Sequence, residues 1–322
     1  MPCLNSIQMQ TFQDFEIVLI DDKSTDKTVE IIREKYGNDR RLKLYRNFKN
    51  AGFAGENVNR AMSLVSPDSE YIYMAAGDDA MTEDNLKILY EGAEKSRADI
   101  VIMNSHYFTE DQDFTVPGTL SITRSASLPL RVLSDDIFDR MQYDFIDGWF
   151  PAVDWAKLYR HDFLKRSKIY FPRVLGIEDF LFNFAQLCLA KKIEVIEGCG
   201  YIYRQNPESV MHVSAKRHAQ KTLDGLSRAV AYMEEIFAKT AGLSRENQLI
   251  CEAHAVSYML QERINRYGTT IDELNDILLD VTRERSLIDP ELTQVLIIAL
   301  TYVLSFHFYK KEGRKELFQL VR

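Results

Sequence analysis

Two pairs of adjacent aspartates stand where carboxylates are costly unless something binds them. Asp21 and Asp22 follow the apolar run EIVLI, and Asp78 and Asp79 follow YIYMAAG. A carboxylate so close to buried apolar residues needs a donor, a cation or a metal as partner. Acids of this kind suit divalent metal and phosphate chemistry, because carboxylate oxygens hold magnesium or manganese, which bridges a diphosphate. The plainer alternative is a surface turn. Gly77 favours the first, since glycine lets the backbone approach a ligand closely.

The elements that must position these acids alternate. Glu16 to Ile20 predicts a strand, and Val29, Ile32 and Tyr36 have helical spacing before a stop at Gly37. A strand at Leu42 to Tyr45, a helix over Ala54 to Val65, a strand over Tyr71 to Ala76, a helix over Glu83 to Lys95 and a strand over Asp99 to Met103 follow. Such alternation predicts right-handed βαβ units and a mostly parallel sheet, with ligands beyond the carboxyl ends of its strands. All four aspartates fall at such ends. From Ser105 to about Ser134 the pattern is polar and loop-like, and from about Ser214 it is almost all helical, with stripes such as Leu249, Ala253, Val256, Leu260 and Ile264.

Composition narrows the classes. Hydrophobic content of 46% with 27% charged residues is that of a soluble globular chain, and a net charge of -8 argues against nucleic acid as main partner. Cys3, Cys188, Cys199 and Cys251 are scattered without zinc spacing, which predicts free thiols in a reducing compartment. No signal peptide is expected in MPCLNSIQMQTF. The apolar run Val295 to Tyr309 is too short to span a bilayer, so it reads as a buried helix, its basic flank leaving a membrane-surface role open.

Several stretches in order carry a resemblance. Gln10 to Tyr36 (QTFQDFEIVLIDDKSTDKTVEIIREKY), Lys49 to Gly55 (KNAGFAG), Tyr71 to Asp79, WAKLYRHDFL, IYFP with GIEDFLF, and YIYRQNPESV together resemble the family 2 glycosyltransferases. The resemblance covers about two-thirds of the chain. It implies an α/β GT-A fold, a Rossmann-like mostly parallel sheet flanked by helices, and sugar transfer from a nucleotide-diphosphate donor with inversion. Carried over by resemblance, Asp22 contacts the nucleotide base with Asp21 in support, and Asn50 and Gly52 belong to the nucleotide-binding set. A turn-capping role for Asp22 stays open. Asp78 is the metal acid of the family's D-x-D element and Asp79 lies near the donor sugar or diphosphate. Asp179 stands at the position of the catalytic base with Glu178 beside it, and adjacent acids can push their pKa values apart. The same two acids also suit the first turn of a helix. Arg204 and Ser209 match a pattern that meets the diphosphate, and His212 is a candidate metal ligand or an ordinary loop histidine.

The sequence departs from the family pattern at three points. The family's opening apolar strand and P-x-Y-N turn are lacking from this sequence, Ala76 stands where the first acid of D-x-D is expected, and Asn59 is displaced by one residue. The expectation is therefore a GT-A domain over 1–213, with 1–105 binding nucleotide and 106–213 shaping the acceptor side, and a helical region over 214–322. The expected activity is an inverting transfer, from a UDP-sugar, to a glycan or lipid-linked acceptor in cell-surface polysaccharide synthesis, using manganese or magnesium. The expected setting is cytoplasmic, peripheral at the inner membrane face, with the C-terminal helices docking or oligomerising. The alternative is a catalytically impaired GT-A-like binding or scaffold subunit. A nucleotidyltransferase would want a Gly-rich basic signature near the start, and none is visible.

Overall fold

In the computed structural model the described residues are 2–110, 121–124, 128–141, 153–174, 177–205, 221–267 and 298–299. The chain divides into two compact units, Met1–Arg173 with Glu178–Ser209, and Val174–Ile177 with Val210–Arg322.

The first unit begins with helix α1 (Pro2–Gln8), strand β1 (Ile17–Asp21), helix α2 (Thr28–Tyr36) and strand β2 (Leu42–Arg46). β1 and β2 pair in parallel, from Ile17 opposite Leu42 to Asp21 opposite Arg46. Leu4, Ile32 and Tyr36 are buried together on one side, against Ile17, Leu19, Leu42 and Leu44. The i, i+3, i+7 spacing of Val29, Ile32 and Tyr36 places all three on one buried face, which is why this helix was readable.

Helix α3 (Ala54–Leu64), strand β3 (Tyr71–Tyr73), strand β4 (Ala80–Met81) and helix α4 (Asn85–Ser96) lead to the long strand β5 (Ile100–Thr109). Strands β6 (Ile122–Arg124) and β7 (Arg131–Val132) and helix α5 (Ile137–Arg140) follow. Then come strand β8 (Lys157–Arg160), helix α6 (His161–Ser167), helix α7 (Glu178–Leu189) and strand β9 (Ile193–Arg204). The main sheet has the order β3-β8-β5-β9-β4, with β6 on β5 and β7 on β9. It is mixed, not mostly parallel. β8 lies antiparallel to both β3 and β5, while β5 and β9 are parallel. The βαβ alternation does make β3 and β5 run the same way, but a later strand enters between them from the opposite end. Hydrophobic pattern carries no strand direction, so the insertion was not legible.

β5 also runs six residues past its expected end, because its polar stretch is held by β9. Asn104 Oδ1 accepts from Gly198 N–H at 3.0 Å, and Ser105 Oγ donates to Gly198 O at 3.0 Å. Two register shifts against β9 fall at the same place and hide the two-residue period.

Helix α7 is the centre of this unit. Every residue from Phe180 to Cys188 is buried, including Asn183 and Gln186. A helix apolar on all faces belongs in a core, where each buried Phe or Leu contributes about 1.5–3 kcal/mol. Its C-terminal carbonyls cannot reach water, and Arg140 of α5 satisfies them. The guanidinium donates to Leu187 O at 2.9 Å and Ala190 O at 2.7 Å, and Nε donates to Ser134 O at 2.8 Å. A cation at a helix C-terminus also opposes the helix dipole.

The second unit contains helices α8 (Lys221–Ala238) and α9 (Arg245–Tyr267). Ala253 and Val256 of the expected stripe are buried. Most of the apolar run Val295 to Tyr309 lies outside the described residues. No described helix is long and apolar enough to cross a membrane. The cysteines are free, and Cys3, Cys188 and Cys251 are buried.

Arg140→Met, which keeps bulk but orphans two buried carbonyls, is expected to lower unfolding free energy by about 3 kcal/mol in urea melts.

Candidate active site

Asp21 and Asp22 lie where β1 ends. Asp21 is buried and pairs with Arg46, Oδ2 to Nε at 3.1 Å, so it acts as a brace for the turn. Asp22 Oδ1 accepts from Asn47 Nδ2 at 2.6 Å and from Ala51 N–H at 2.8 Å. Asn50 Nδ2 donates to Asp22 O at 3.0 Å, and Asn50 Oδ1 accepts from Gly52 N–H at 2.7 Å. Gly52 has φ +68°, a left-handed conformation that glycine adopts without strain. Burial is the largest influence on the Asp22 carboxyl and pushes it up. The hydrogen bonds from Ala51, Asn47 and Asn57 together outweigh it and hold the group below its ordinary range. The structure thus brings Asp21, Asp22, Asn50 and Gly52 together around one turn.

Asn47 and Asn57 were missed by the sequence reading, and so was Arg60, whose NH1 donates to Asn47 Oδ1. Single polar residues in loops and on helices carry no periodic signal. Asn59 is structural: its side-chain amide donates to Phe171 O at 2.9 Å and accepts from Phe171 N–H at 2.8 Å. It ties the IYFP segment to α3.

The second pair splits in direction. β3 ends at Tyr73, and the turn from Ala76 to Asp79 leaves Asp78 exposed and Asp79 buried. β4 pairs with β9 through Ala80–Ile202 and Met81–Tyr201, which delivers Asp79 to the end of β9. There Asp79 Oδ2 accepts from Tyr201 OH at 2.5 Å and Oδ1 from Arg204 N–H at 2.9 Å. Burial, chiefly, raises the Asp79 carboxyl to about 6, with Asp78 adding to it and the Tyr201 and Arg204 hydrogen bonds opposing. Both Asp79 oxygens are engaged by the protein itself. Asp78 is the acid of the pair that faces solvent.

The third pair opens α7. Asp179 is partly buried, and its carboxyl is raised to about 8, first by burial, then by Asp154 and Glu178, with Lys157 opposing. Trp155 packs against the strand that carries Asp79's partner Tyr201. Its ring stacks on Tyr201 at 4.4 Å and 7°, and on Tyr203 at 5.6 Å and 20°. His106 meets Trp155 edge-on at 5.0 Å. Trp155 therefore forms an aromatic wall with Tyr201 and Tyr203, and stands between Asp154 and β8 in the chain. No hydrogen bond or ion pair among the described residues joins Asp21 or Asp22 to Asp78, Asp79 or Asp179. Ser209 and His212 lie outside the described residues.

Among the described residues, no group of three or more His, Cys, Asp and Glu is placed to hold a metal alone. Magnesium or manganese on a diphosphate needs only one or two carboxylates, since phosphate oxygens and water complete the shell. The exposed carboxylate of Asp78 fits that requirement, whereas Asp79 is taken up by Tyr201 and Arg204.

Comparison with known proteins gives a consistent outcome. The family model "Glycosyl transferase family 2" matches residues 2–166. The chain is 27% identical over 224 residues to the uncharacterized glycosyltransferase EpsJ of Bacillus subtilis, covering 68% of this chain and 62% of EpsJ. It is 26% identical over 252 residues to the poly(ribitol-phosphate) beta-N-acetylglucosaminyltransferase TarS of Staphylococcus aureus, covering 77% of this chain and 40% of TarS. The chain thus spans less than two thirds of the length of these relatives. The solved structure of residues 1–349 of S. aureus TarS with UDP-GlcNAc has the same fold, at TM-score 0.69 and 18% identity, covering 98% of this chain and 88% of that one. A family match over half of the chain, joined to a mixed α/β sheet with acids at its strand ends, establishes that the chain belongs to glycosyl transferase family 2 and has the GT-A fold.

Proposed function

We propose that the chain is an inverting glycosyltransferase that moves a sugar from a UDP-sugar to a hydroxyl of a glycan or lipid-linked acceptor in cell-surface polysaccharide synthesis. The observation that carries this reading is Asp179, a partly buried carboxyl raised to about 8 at the N-terminus of a buried helix. A general base works best when its proton affinity lies near the working pH. The names of the relatives support the class of donor and acceptor: one is a beta-N-acetylglucosaminyltransferase acting on poly(ribitol-phosphate), and its structure was solved with UDP-GlcNAc.

In this reading Asp22, fixed by Asn47 and Ala51, accepts the imide N–H of uracil. A carboxylate has about four acceptor sites, so the three protein donors Asn47, Ala51 and Asn57 leave one for the base. Asp79 and Tyr201 shape the donor side, and the Trp155 wall excludes water from the sugar. Asp179 takes the proton of the acceptor hydroxyl as its oxygen bonds to the anomeric carbon. The bond from that carbon to the diphosphate breaks, and its electron pair leaves with the nucleotide. Asp179 afterwards releases the proton to solvent. Asp78 would hold the divalent cation, with Arg204, Ser209 and His212 as further diphosphate or metal contacts; when bound, the cation neutralises charge building on the departing diphosphate. The helical region 214–322 would dock on the acceptor-bearing membrane or on a second copy, at the cytoplasmic face.

One observation favours the alternative of a GT-A-like binding subunit: Ala76 stands where an acid is expected, and both Asp79 oxygens accept from the protein itself. Titration calorimetry with UDP and manganese separates the two. The enzyme reading expects manganese-dependent heat, reduced about 10-fold in affinity or more by Asp22→Ala, since a charged hydrogen bond contributes about 1.5–3 kcal/mol. Absence of metal-dependent UDP heat would overturn it. Asp179→Asn is expected to slow UDP release from a UDP-sugar by about 10²–10⁴-fold. The same substitution should raise stability at high pH. The Asp179 carboxyl is raised in the folded state, so its stabilising protonation is complete below about 4 and is lost as pH rises through about 8. Thermal melts at pH 5 and pH 9 should therefore show a gain for Asp179→Asn that grows with pH.

A further inference from the structure

Lys157, the first residue of β8, is fully buried and the proposed chemistry does not use it. An ammonium removed from water is costly unless compensated, and a buried ion cluster rarely adds net stability over apolar packing. The surroundings supply the compensation from two places, α7 and the loop before β8. Lys157 Nζ donates to Asn183 Oδ1 of α7. Asn183 sits one turn beyond Asp179, and its Nδ2 donates to Asp179 O at 2.6 Å. Asp154 lies on the loop just before β8, where its carbonyl accepts from Tyr159 OH at 3.0 Å. The titratable groups that interact with this cluster are Asp154, Asp179, Glu178, Tyr159 and, from β3, Tyr73. Beside them pack Phe171 and Phe182, stacked at 3.9 Å, so little water is present to screen charge.

The backbone before Lys157 is strained in the way such a placement requires. Ala156 has φ +59°, which costs a non-glycine residue about 1–2 kcal/mol. That single left-handed residue separates Trp155, stacked on Tyr201, from Lys157, bonded to α7. Strain of this kind persists where the neighbours on both sides are over-determined.

We propose that Lys157 is a positioning residue for transfer: buried and tied through Asn183 to the first turn of α7, it braces the backbone that carries Asp179 and favours the ionised carboxylate that takes the acceptor's proton. This rests on Asp179 as the base. Burial, Asp154 and Glu178 all favour the protonated Asp179, and Lys157 is the group that opposes them. Burial in turn pushes the Lys157 ammonium well down, and Asp154 and Asp179 push it back up. Lys157 and the carboxyls therefore act on one another's proton affinities.

The test uses the full chain with aspartate labelled at the carboxyl carbon. The resonance that disappears in Asp179→Asn belongs to Asp179, and its titration midpoint is read directly by NMR. Lys157→Met should raise that midpoint by about one pH unit or more. In UDP release from UDP-GlcNAc with manganese, the acid limb of the kcat profile should move up by the same amount, with the rate recovering at high pH. Asn183→Leu, which keeps the lysine but cuts its tie to α7, should raise the midpoint as well and stands in if Lys157→Met does not fold. An unmoved midpoint in a folded variant, or a rate loss equal at every pH, overturns the proposal. Full activity of Asp179→Asn would instead overturn the base assignment, and the NMR midpoints would still report on Lys157.

Discussion

A helix buried on every face must find a partner for each polar group it carries, and α7 imposes that demand on the first unit. Its carbonyl end draws in Arg140, its flank draws Lys157 to Asn183, and Gln186 faces Tyr159. Its N-terminal end carries Glu178 and Asp179, which cannot be fully hydrated there. The apolar packing that stabilises the unit is thus what raises the proton affinity of the acid. Stability and the proposed role are opposed at Asp179, because a base must be charged and the charged form is the one the core disfavours.

The two strand-end pairs differ from this third pair in how they are managed. Asp22 is held by backbone and amide donors, which favour its charge, whereas Asp79 is buried and its oxygens are occupied by Tyr201 and Arg204. Adjacent residues are therefore treated differently: Asp21 braces Arg46 while Asp22 accepts from the following loop, and Asp79 braces β9 while Asp78 faces outward. In each dipeptide of acids at a strand end, one member is a buried anchor and the other is more exposed.

Much of this was legible in the sequence for stated reasons. Strands β1, β2 and β5 and helices α2, α3 and α4 begin within two residues of where apolar spacing and stop signals put them. Local periodicity encodes which face is buried, and nothing more. It did not give the direction of β8, the continuation of β5 through Thr109, or the early end of β3, since each depends on a strand far away in the chain. At the site, the acids were found because charge beside apolar runs is conspicuous. Asn47, Tyr201 and Lys157 were not, because their roles exist only through contacts with residues 25 to 122 positions away. The left-handed Ala156 gave no warning either, for a left-handed turn is ordinarily signalled by glycine, asparagine or aspartate and not by alanine.

The insertion of β8 has a consequence for how this protein acquires its shape. β3 and β5 run in the same direction but do not pair with each other; each pairs with β8. Until residues 157–160 have been synthesised and placed, both strands present open hydrogen-bonding edges, and β9, the partner on the other side of β5, is still further along the chain. Strands in that condition are exposed to pairing with other molecules. Closing this sheet therefore waits on pairings between strands far apart in the chain, the kind of contact that slows folding.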